Sequence, residues 1–236
     1  MRHKFIALAA VAVILAGCRA ESPFVEDAKK TEAGKTAAQP AATGTTATTG
    51  TAAAATTANE IEVTRDDGSK VAVFRDLGQG TIEIAFANGT KVLRGEPRDS
   101  GKRKYRAGDD PVAIEVKPDD KGFKVRNDDG SLRWKVRFSD DGEKIKISDN
   151  EASQNAYELK LRYEDRVKVE SPDQKELGNV RFYRAESRAK VKNAADADVF
   201  KIKGPHYSAG WGVLLMDRIP ENDRYVIAAE LLSRRK

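Results

Sequence analysis

The chain of 236 residues holds few side chains that could act as nucleophiles, bases or metal ligands. Cys18 is its single cysteine, and His3 and His206 are its two histidines. A structural zinc site usually takes four Cys or His ligands, and a serine triad would have to use His206. No Gly-x-Ser-x-Gly elbow is present. We therefore expect no catalytic residue, no metal ligand and no cofactor, and interpret His206 as a loop residue that caps the last strand.

Carboxylates are plentiful, but their spacing is typical of turns. Five Asp-Asp pairs occur, at 66–67, 109–110, 119–120, 128–129 and 140–141. An EF-hand loop needs acids at alternate positions and a glutamate at its twelfth position, which none of the pairs provides. Aspartate before glycine is favoured in tight turns. A hydrolase whose carboxylates come from distant strands stays open as an alternative.

The first 18 residues have the order of an export signal. Basic residues at 2–4 precede the apolar run Phe5–Leu15, which spans 11 residues. Such a run reaches about half of the roughly 30 Å that a membrane-spanning helix needs. A basic start, a short apolar core and small residues behind it form a secretory signal that is removed from the mature protein. An ordinary signal peptide with a chance cysteine is the alternative to the interpretation that follows.

The segment Leu15-Ala16-Gly17-Cys18 resembles the lipobox of bacterial lipoproteins. This resemblance implies cleavage between Gly17 and Cys18, a diacylglycerol on the Cys18 sulfur and often an acyl chain such as palmitate on the new amine. It also accounts for a lone cysteine in an exported protein. Two or three acyl chains suffice for stable anchoring. Because Arg19, not aspartate, follows the cysteine, we expect the outer membrane, on its periplasmic or surface face.

Residues 18–59 form a tether in this interpretation, with 1–17 as the signal peptide. Residues 31–58 are almost wholly Ala, Thr and Gly, and such a stretch cannot bury enough apolar surface to offset its ordering entropy. We predict that it is disordered. Residues 60–236 are the folded part, and their 36 basic and 33 acidic residues nearly balance.

Alternating apolar and polar residues predict many short antiparallel strands in 60–236. Asp-Gly and Asn-Gly between alternating stretches are strong hairpin signals, because these residues tolerate positive φ. The predicted strands lie at 61–64, 70–74, 82–86, 91–93, 123–126, 132–138, 143–147, 157–163, 166–170, 179–183 and 199–203. The similar segments 63–69 and 125–131 suggest two hairpin modules, about 60–117 and 118–236, although ordinary turn chemistry explains them equally well.

The end of the chain differs from the hairpin region. Residues 210–216 are strongly apolar and predict a buried strand or short helix. Pro220 suits the first turn of a helix, and the spacing of Tyr225, Ala228, Ala229 and Leu232 places them on one apolar face. The predicted fold is mainly antiparallel β, as a hairpin-rich sheet or barrel, with a C-terminal α-helix.

This order of elements, together with the phrase Asp128-Asp129-Gly130-Ser131-Leu132, resembles the tubby-like barrels over residues 120–232. The resemblance implies a closed antiparallel sheet around a C-terminal helix. No functional residue of that family can be transferred to this chain.

Basic residues supply the remaining candidate site. One cation-rich strand face and one loop cluster could contact an anionic surface. The residues are Arg133, Lys135, Arg137, Lys160, Arg162, Lys102, Arg103 and Lys104. A merely solvated charged face is the alternative.

The expected function is therefore non-catalytic. We expect a protein that is anchored to a membrane by lipid and binds an envelope protein or an anionic glycan or lipid. Nucleic acid is not an expected partner for an exported protein. An envelope-polymer hydrolase and a lipid-binding β-barrel stay as alternatives.

Overall fold

A computed structural model describes residues 60–87, 89, 91–108, 113–204 and 206–234. The predicted signal peptide, Cys18, the tether and the Asp109-Asp110 pair lie outside the described residues. The described part belongs to the compact unit Ala53–Lys236.

The described residues form one closed barrel of antiparallel strands. Each strand pairs with its neighbours in sequence, and β1 pairs with β14 to close the sheet. The strands are β1 Glu60–Arg65, β2 Lys70–Asp76, β3 Ile82–Phe86, β4 Val92–Pro97, β5 Arg103–Ala107, β6 Ile114–Asp119, β7 Gly122–Asn127, β8 Leu132–Phe138, β9 Lys144–Ser148, β10 Tyr157–Arg162, β11 Arg166–Glu170, β12 Glu176–Tyr183, β13 Arg188–Asn193 and β14 Asp198–Lys203. The predicted fold class is confirmed.

The two Asp-Asp-Gly-Ser turns have the same geometry. Asp67 and Asp129 each accept a hydrogen bond from the backbone N–H two residues later, at 2.8 Å in both turns. Gly68 and Gly130 follow with φ of 84° and 83°, which glycine adopts at little cost. Both carboxylates therefore shape a turn. A duplicated module stays a prediction, since identical turn chemistry produces the same geometry.

The barrel interior is filled by the end of the chain. A 3₁₀ helix, Ala209–Leu215, contacts β10 to β13, and α1, Glu221–Ser233, packs against it. Trp211 of the 3₁₀ helix is fully buried and packs edge-on against Phe74, with ring centroids 5.3 Å apart. A sheet of this many strands encloses more room than its own side chains fill. The two helices supply the missing core.

The helix α1 is buried more completely than its sequence pattern predicts. The predicted apolar face of Tyr225, Ala228 and Ala229 is buried, but Val226 and Ile227 are fully buried as well. The single-face prediction was too narrow because strands and the 3₁₀ helix surround α1. No helix in the described part of the chain is long and apolar enough to cross a membrane.

The first strand begins and the last helix ends at the same end of the barrel. Because successive hairpins alternate between ends, the start of β1 at Glu60 lies at the same end as the turn 163–165 between β10 and β11. We call this the entry end. The last turn of α1 also lies there, since Ser233 accepts a hydrogen bond from Arg103 at the start of β5 (3.2 Å).

Candidate functional site

Charge is segregated over the folded part although its total is nearly balanced. The fourteen strands contain 25 Lys and Arg residues against 11 Asp and Glu residues, an excess of 14 cations. The turns, loops and helices of 60–236 contain the other 11 basic and 22 acidic residues. Alternate residues of a barrel strand point outward, so the cations lie on the outer wall. The carboxylates lie mainly in the turns, loops and helices.

Strands β8 to β11 contain nine of these 25 cations and two acidic residues, and seven of the nine form the surface that we call the cationic wall. It consists of Arg137, Lys144, Lys146, Lys160, Arg162, Arg166 and Lys168. Strand register places several of these residues directly opposite one another: Lys144 faces Lys160, Lys160 faces Lys168, and Arg162 faces Arg166. Directly opposed like charges destabilise a sheet. The wall therefore holds its cations together at an energetic cost.

Two glutamates on the same strands partly offset this repulsion. Glu158 lies 3.6 Å from Lys144, 3.5 Å from Lys146 and 3.0 Å from Lys160. Burial raises the pKa of the Glu158 carboxyl, but the Lys160 hydrogen bond and the surrounding lysines outweigh burial and lower it overall. Glu158 thus stays ionised at neutral pH as the shared counter-ion of three lysines.

Glu170 is the second counter-ion and is more deeply buried. Hydrogen bonds from Lys160, the largest cause, and from Lys168 lower the pKa of the Glu170 carboxyl. The Lys168 ammonium lies 3.1 Å from it. The four lysines of the wall thus share these two carboxylates, and Lys168 also lies 3.2 Å from Glu176 of β12.

Three arginines of the wall remain without a carboxylate. Arg137, Arg162 and Arg166 have no acidic group within ion-pair distance among the residues that the structure describes. Arg137 and Arg162 are exposed, whereas the Arg166 Nε is buried and has no hydrogen-bond partner in this part of the chain. These guanidinium groups are able to receive an anion, since each presents planar donors suited to carboxylate or phosphate.

Polar clefts flank β9 on this wall. The cleft between β9 and β10 has a volume of about 430 Å³ and is lined by Lys144, Lys160 and Arg162, with Asp141 and Glu143 at its edge. Two further clefts, of about 250 Å³ and 420 Å³, also include Lys146 in their lining. The linings of the clefts of about 430 Å³ and 420 Å³ are mainly polar and suit a hydrophilic ligand.

The structure separates the eight cations that the sequence singled out. Arg137, Lys160 and Arg162 lie on the cationic wall. The others contact carboxylates: Arg133 pairs with Asp223 (2.9 Å), Arg103 with Glu230 (2.5 Å), Lys104 with Asp128 (2.5 Å), Lys102 with Glu115 (3.7 Å) and Lys135 with Glu151 (3.5 Å).

Sequence reasoning missed four members of the wall. They are Lys144, Lys146, Arg166 and Lys168. The sequence does contain a pattern that could have identified them, because lysine or arginine alternates with isoleucine or valine in β9 and β11. The alternation identified the strands, but only pairing in the barrel shows that the two strands lie on either side of β10.

Arg103 and Arg133 serve the interior helix instead of a ligand. The Glu230 carboxylate of α1 is fully buried and accepts hydrogen bonds from Arg103 and from the Tyr105 hydroxyl (2.8 Å). Burial, chiefly, and the Glu230 charge raise the pKa of Tyr105 well above its ordinary value. Near the other end of α1, Asp223 accepts a hydrogen bond from Trp134 (2.8 Å). These contacts fix α1 at both ends of the barrel.

A small apolar cleft opens at the entry end. Ile61, Phe74, Ile82 and Leu232 line it together with His206, and its volume is about 90 Å³. Drug-sized ligand pockets usually measure roughly 300–1,000 Å³. His206 lies in the loop after β14, where its carbonyl accepts a hydrogen bond from Trp211 (3.3 Å). This cleft therefore has room for a small apolar group only.

Glu158 and Glu170 are close enough to invite comparison with a glycosidase pair. Both bond to the Lys160 ammonium, so their oxygens lie within about 6 Å of each other. A glycosidase acid needs a raised pKa, whereas both carboxyls here have lowered pKa values. We interpret the pair as counter-ions. No group of three His, Cys, Asp or Glu within the described ranges is placed to hold a metal ion.

Comparison with known proteins gives no family for this chain. No family model matches the chain, and neither the curated proteins nor the solved structures contain a match to it.

Proposed function

We propose that the chain is a lipid-anchored protein of a bacterial cell envelope whose barrel binds an anionic envelope component. The observation that carries this proposal is the cationic wall, where four lysines share two carboxylates of the same strands and three arginines have no carboxylate within ion-pair distance among the described residues. Anions placed across the wall would relieve the repulsion between opposed cations. A face that served solubility alone would mix both signs.

The anchor is proposed from the N-terminal sequence. A signal peptide that ends at Gly17 and a lipid on Cys18 would hold the barrel at the outer membrane, on the periplasmic or surface face. A tether of about forty residues spans roughly 35 Å as a coil and up to about 130 Å when extended. It joins the barrel at the entry end, so the wall remains accessible on the side of the barrel.

The anchor is tested by mass spectrometry of the mature N-terminus. We expect a Cys18 residue that carries the mass of a diacylglycerol, and we expect Cys18→Ser to move the protein from the membrane fraction to the soluble fraction. An unmodified Cys18 at the mature N-terminus would refute the lipoprotein proposal.

Charge reversal tests the wall. The variant Arg137→Glu/Lys144→Glu/Arg162→Glu should bind anionic outer-membrane vesicles roughly a hundredfold more weakly at low salt, from about 1 kcal/mol per cation. Co-sedimentation at increasing salt measures this loss. The control is Lys70→Glu/Arg94→Glu, which reverses charges on β2 and β4, outside the cationic wall. It should bind as the unaltered protein does. Equal binding by both variants and the unaltered protein would refute the proposed surface.

The apolar cleft at the entry end favours a second candidate function, the binding of a small apolar group by the barrel. Leu232→Trp would fill the cleft of about 90 Å³. Loss of short-chain fatty acid binding in this variant, with wall binding unchanged, would support that function. Absence of such binding in the unaltered protein would exclude it.

A further inference from the structure

We propose that the ligand of the cationic wall is an acidic saccharide and that Tyr163 provides the ring on which a sugar stacks. The inference rests on the function proposed above and names the chemical class of the ligand. It follows from an exposed aromatic side chain, an unpartnered arginine and the polarity of the neighbouring clefts.

Tyr163 has a conformation that packing does not explain. It lies in the turn between β10 and β11, with φ of 60° and 87% of its surface exposed. A bulky residue at positive φ is strained, and glycine or asparagine would occupy the position at lower cost. An exposed ring gains little from burial to offset that strain. Seven other non-glycine residues of the described chain also have positive φ, but Tyr163 is the one aromatic residue in that set, and from this combination of a strained backbone and an exposed ring we infer a functional role.

The turn places Tyr163 at the edge of the cationic wall. Arg162 and Arg166 flank the turn on paired strands and face each other directly. The Arg166 Nε is buried without a hydrogen-bond partner among the described residues. Arg184 donates a hydrogen bond to the backbone carbonyl of Glu164 at 3.0 Å and so holds the turn. The turn therefore places an exposed ring between two strands that each contribute an arginine next to it.

The turn also contains two carboxylates, Glu164 and Asp165, and both are exposed. Together with Asp141 and Glu143 at the edge of the adjacent cleft, they limit the positive charge near Tyr163. A ligand that combines charged groups with neutral hydroxyls accommodates both signs, because its hydroxyls can donate to the carboxylates.

The spacing of the wall suits a linear polymer. Neighbouring strands lie about 4.8 Å apart, so cations in register repeat at that interval around the barrel. Each sugar of an extended chain has a similar length, and an acidic saccharide carries carboxylates at intervals along it. The polar clefts of about 430 Å³ and 250 Å³ beside β9 leave room for such rings. A polyphosphate matches the charge of the wall but has no ring to stack on Tyr163.

Calorimetric titration of the full chain in detergent tests the inference. The probes are hexagalacturonate, linear polyphosphate and neutral maltohexaose. We expect hexagalacturonate to bind and maltohexaose not to bind. Tyr163→Gly should weaken hexagalacturonate binding by about threefold to tenfold and leave polyphosphate binding unchanged. Tyr163→Phe keeps the ring and should bind as the unaltered protein does.

Folding does not confound this test. Glycine relieves the left-handed strain at position 163, so Tyr163→Gly should melt at the same temperature as the unaltered protein or higher. The wall variant Lys144→Gln/Arg162→Gln should weaken both polyanions alike, which separates charge from stacking.

Each outcome bears on a different claim. Selective loss of hexagalacturonate binding in Tyr163→Gly, with rescue in Tyr163→Phe, supports the inference. Polyphosphate binding without hexagalacturonate binding, or equal effects of Tyr163→Gly on both, overturns the inference and leaves the proposed function standing. Binding to the anionic vesicles of the co-sedimentation test without binding to either polyanion assigns the surface to lipid headgroups and also overturns the inference. Binding to none of these anionic probes would refute both.

Discussion

Glu230 shows how a single charged residue connects the interior helix to the barrel wall. Its side chain has no exposed surface, and it receives Arg103 from β5, the Tyr105 hydroxyl and the Arg234 guanidinium (Nε at 3.0 Å). A buried charge is tolerated when it is paired and hydrogen-bonded. Arg234 also lies over the Phe123 ring at 4.9 Å. The last turn of α1 is therefore tied to β5 and β7 by one ionic cluster.

Removal of this carboxylate should destabilise the protein strongly. Glu230→Ala leaves Arg103 and the Tyr105 hydroxyl without their partner, and we expect a loss of about 3–5 kcal/mol in the free energy of unfolding. Urea denaturation measures it. Glu151→Ala removes a half-exposed carboxylate from surface ion pairs and should cost about 0–1 kcal/mol. Similar values for the two variants would show that the Glu230 cluster contributes no more than a surface pair.

The wall glutamates predict a dependence of stability on pH. The pKa values of Glu158 and Glu170 are lower than the ordinary value of 4.5. Their contribution is therefore fully present above about pH 5 and is lost as pH falls through the lowered values. Burial, the largest cause, raises the pKa of Asp223, so this residue opposes the trend by gaining stability on protonation.

Lys160→Met tests the contribution of the glutamates, because Lys160 bonds to both of them and not to Asp223. The substitution also relieves the repulsion with Lys144 and Lys168, which is present at every pH of the titration and so does not by itself follow the protonation of the glutamates. We expect the midpoint of acid unfolding to lie at a higher pH than in the unaltered protein, as followed by circular dichroism. Lys203→Met removes an exposed cation and should leave the midpoint unchanged. An unchanged midpoint in Lys160→Met would mean that the pair does not stabilise the fold.

The strands show how local pattern and cross-strand packing combine. Gly95 of β4 lies opposite Tyr105 of β5, and the tyrosine ring covers it. A Cβ at position 95 would lie 2.6 Å from Cζ and 2.8 Å from Cδ1 of that ring. Because Gly95 has no side chain, the Tyr105 ring fits against the strand and its hydroxyl reaches Glu230. Alternation in the sequence identifies β4 but does not reveal this contact.

Substitution at this position should disturb both the strand pair and the buried cluster. We expect Gly95→Ala to lower the free energy of unfolding by about 1–3 kcal/mol, because the ring must move and weaken its bond to Glu230. Thermal or urea denaturation measures the change. Arg94→Ala, at the neighbouring exposed position, should stay within about 0.5 kcal/mol. Equal effects would show that the ring moves aside freely.

Element prediction from sequence succeeded for eleven strands, missed β5, β6 and β13, and was too narrow for the helix. The basic cluster at 102–104, expected in a loop, lies at the start of β5, because its strand neighbours β4 and β6 are set by the sheet and not by local pattern. The two Asp-Asp-Gly-Ser turns and the alternating strands follow from local stereochemistry, which depends on few neighbouring residues. The burial of Val226 and Ile227 depends on what surrounds α1. Periodicity along a helix gives no information about packing on its second side.

On the scale of the whole molecule, the barrel requires its C-terminal helix. The 3₁₀ helix packs against β10 to β13, and α1 contacts the 3₁₀ helix and β3. Through Glu230 and Asp223, α1 also reaches β5 and β8. A sheet of fourteen strands without these helices would hold a large void, and voids destabilise a core.

Deletion of α1 should therefore abolish cooperative folding. A chain that ends at Asp217 lacks the helix and should show no sharp urea transition and no near-ultraviolet circular dichroism. A chain that ends at Arg234 retains α1 with its buried contacts and should unfold as the full chain does. A cooperative transition in the chain that ends at Asp217 would show that the strands form a stable barrel alone.

The candidate site was predicted in part. Arg137, Lys160 and Arg162 were identified because alternation puts cations on one strand face. Arg103 and Arg133 were assigned to the same surface, but they pair with carboxylates of α1, about 100 residues away in sequence. Such long-range ion pairs have no local pattern, so sequence alone does not separate a structural arginine from a surface arginine.

The sequence by itself determined eleven of the fourteen strands, the Asp-Gly turns, the C-terminal helix and the expectation of a lipid anchor. All of these depend on residues that are close together in the chain. Only the tertiary structure decided that the sheet closes between β1 and β14, that α1 is surrounded, and that β8 to β11 assemble the cationic wall. The physical reason is that charge and burial depend on neighbours in space. Closure of the barrel brings those neighbours from every part of residues 60–234.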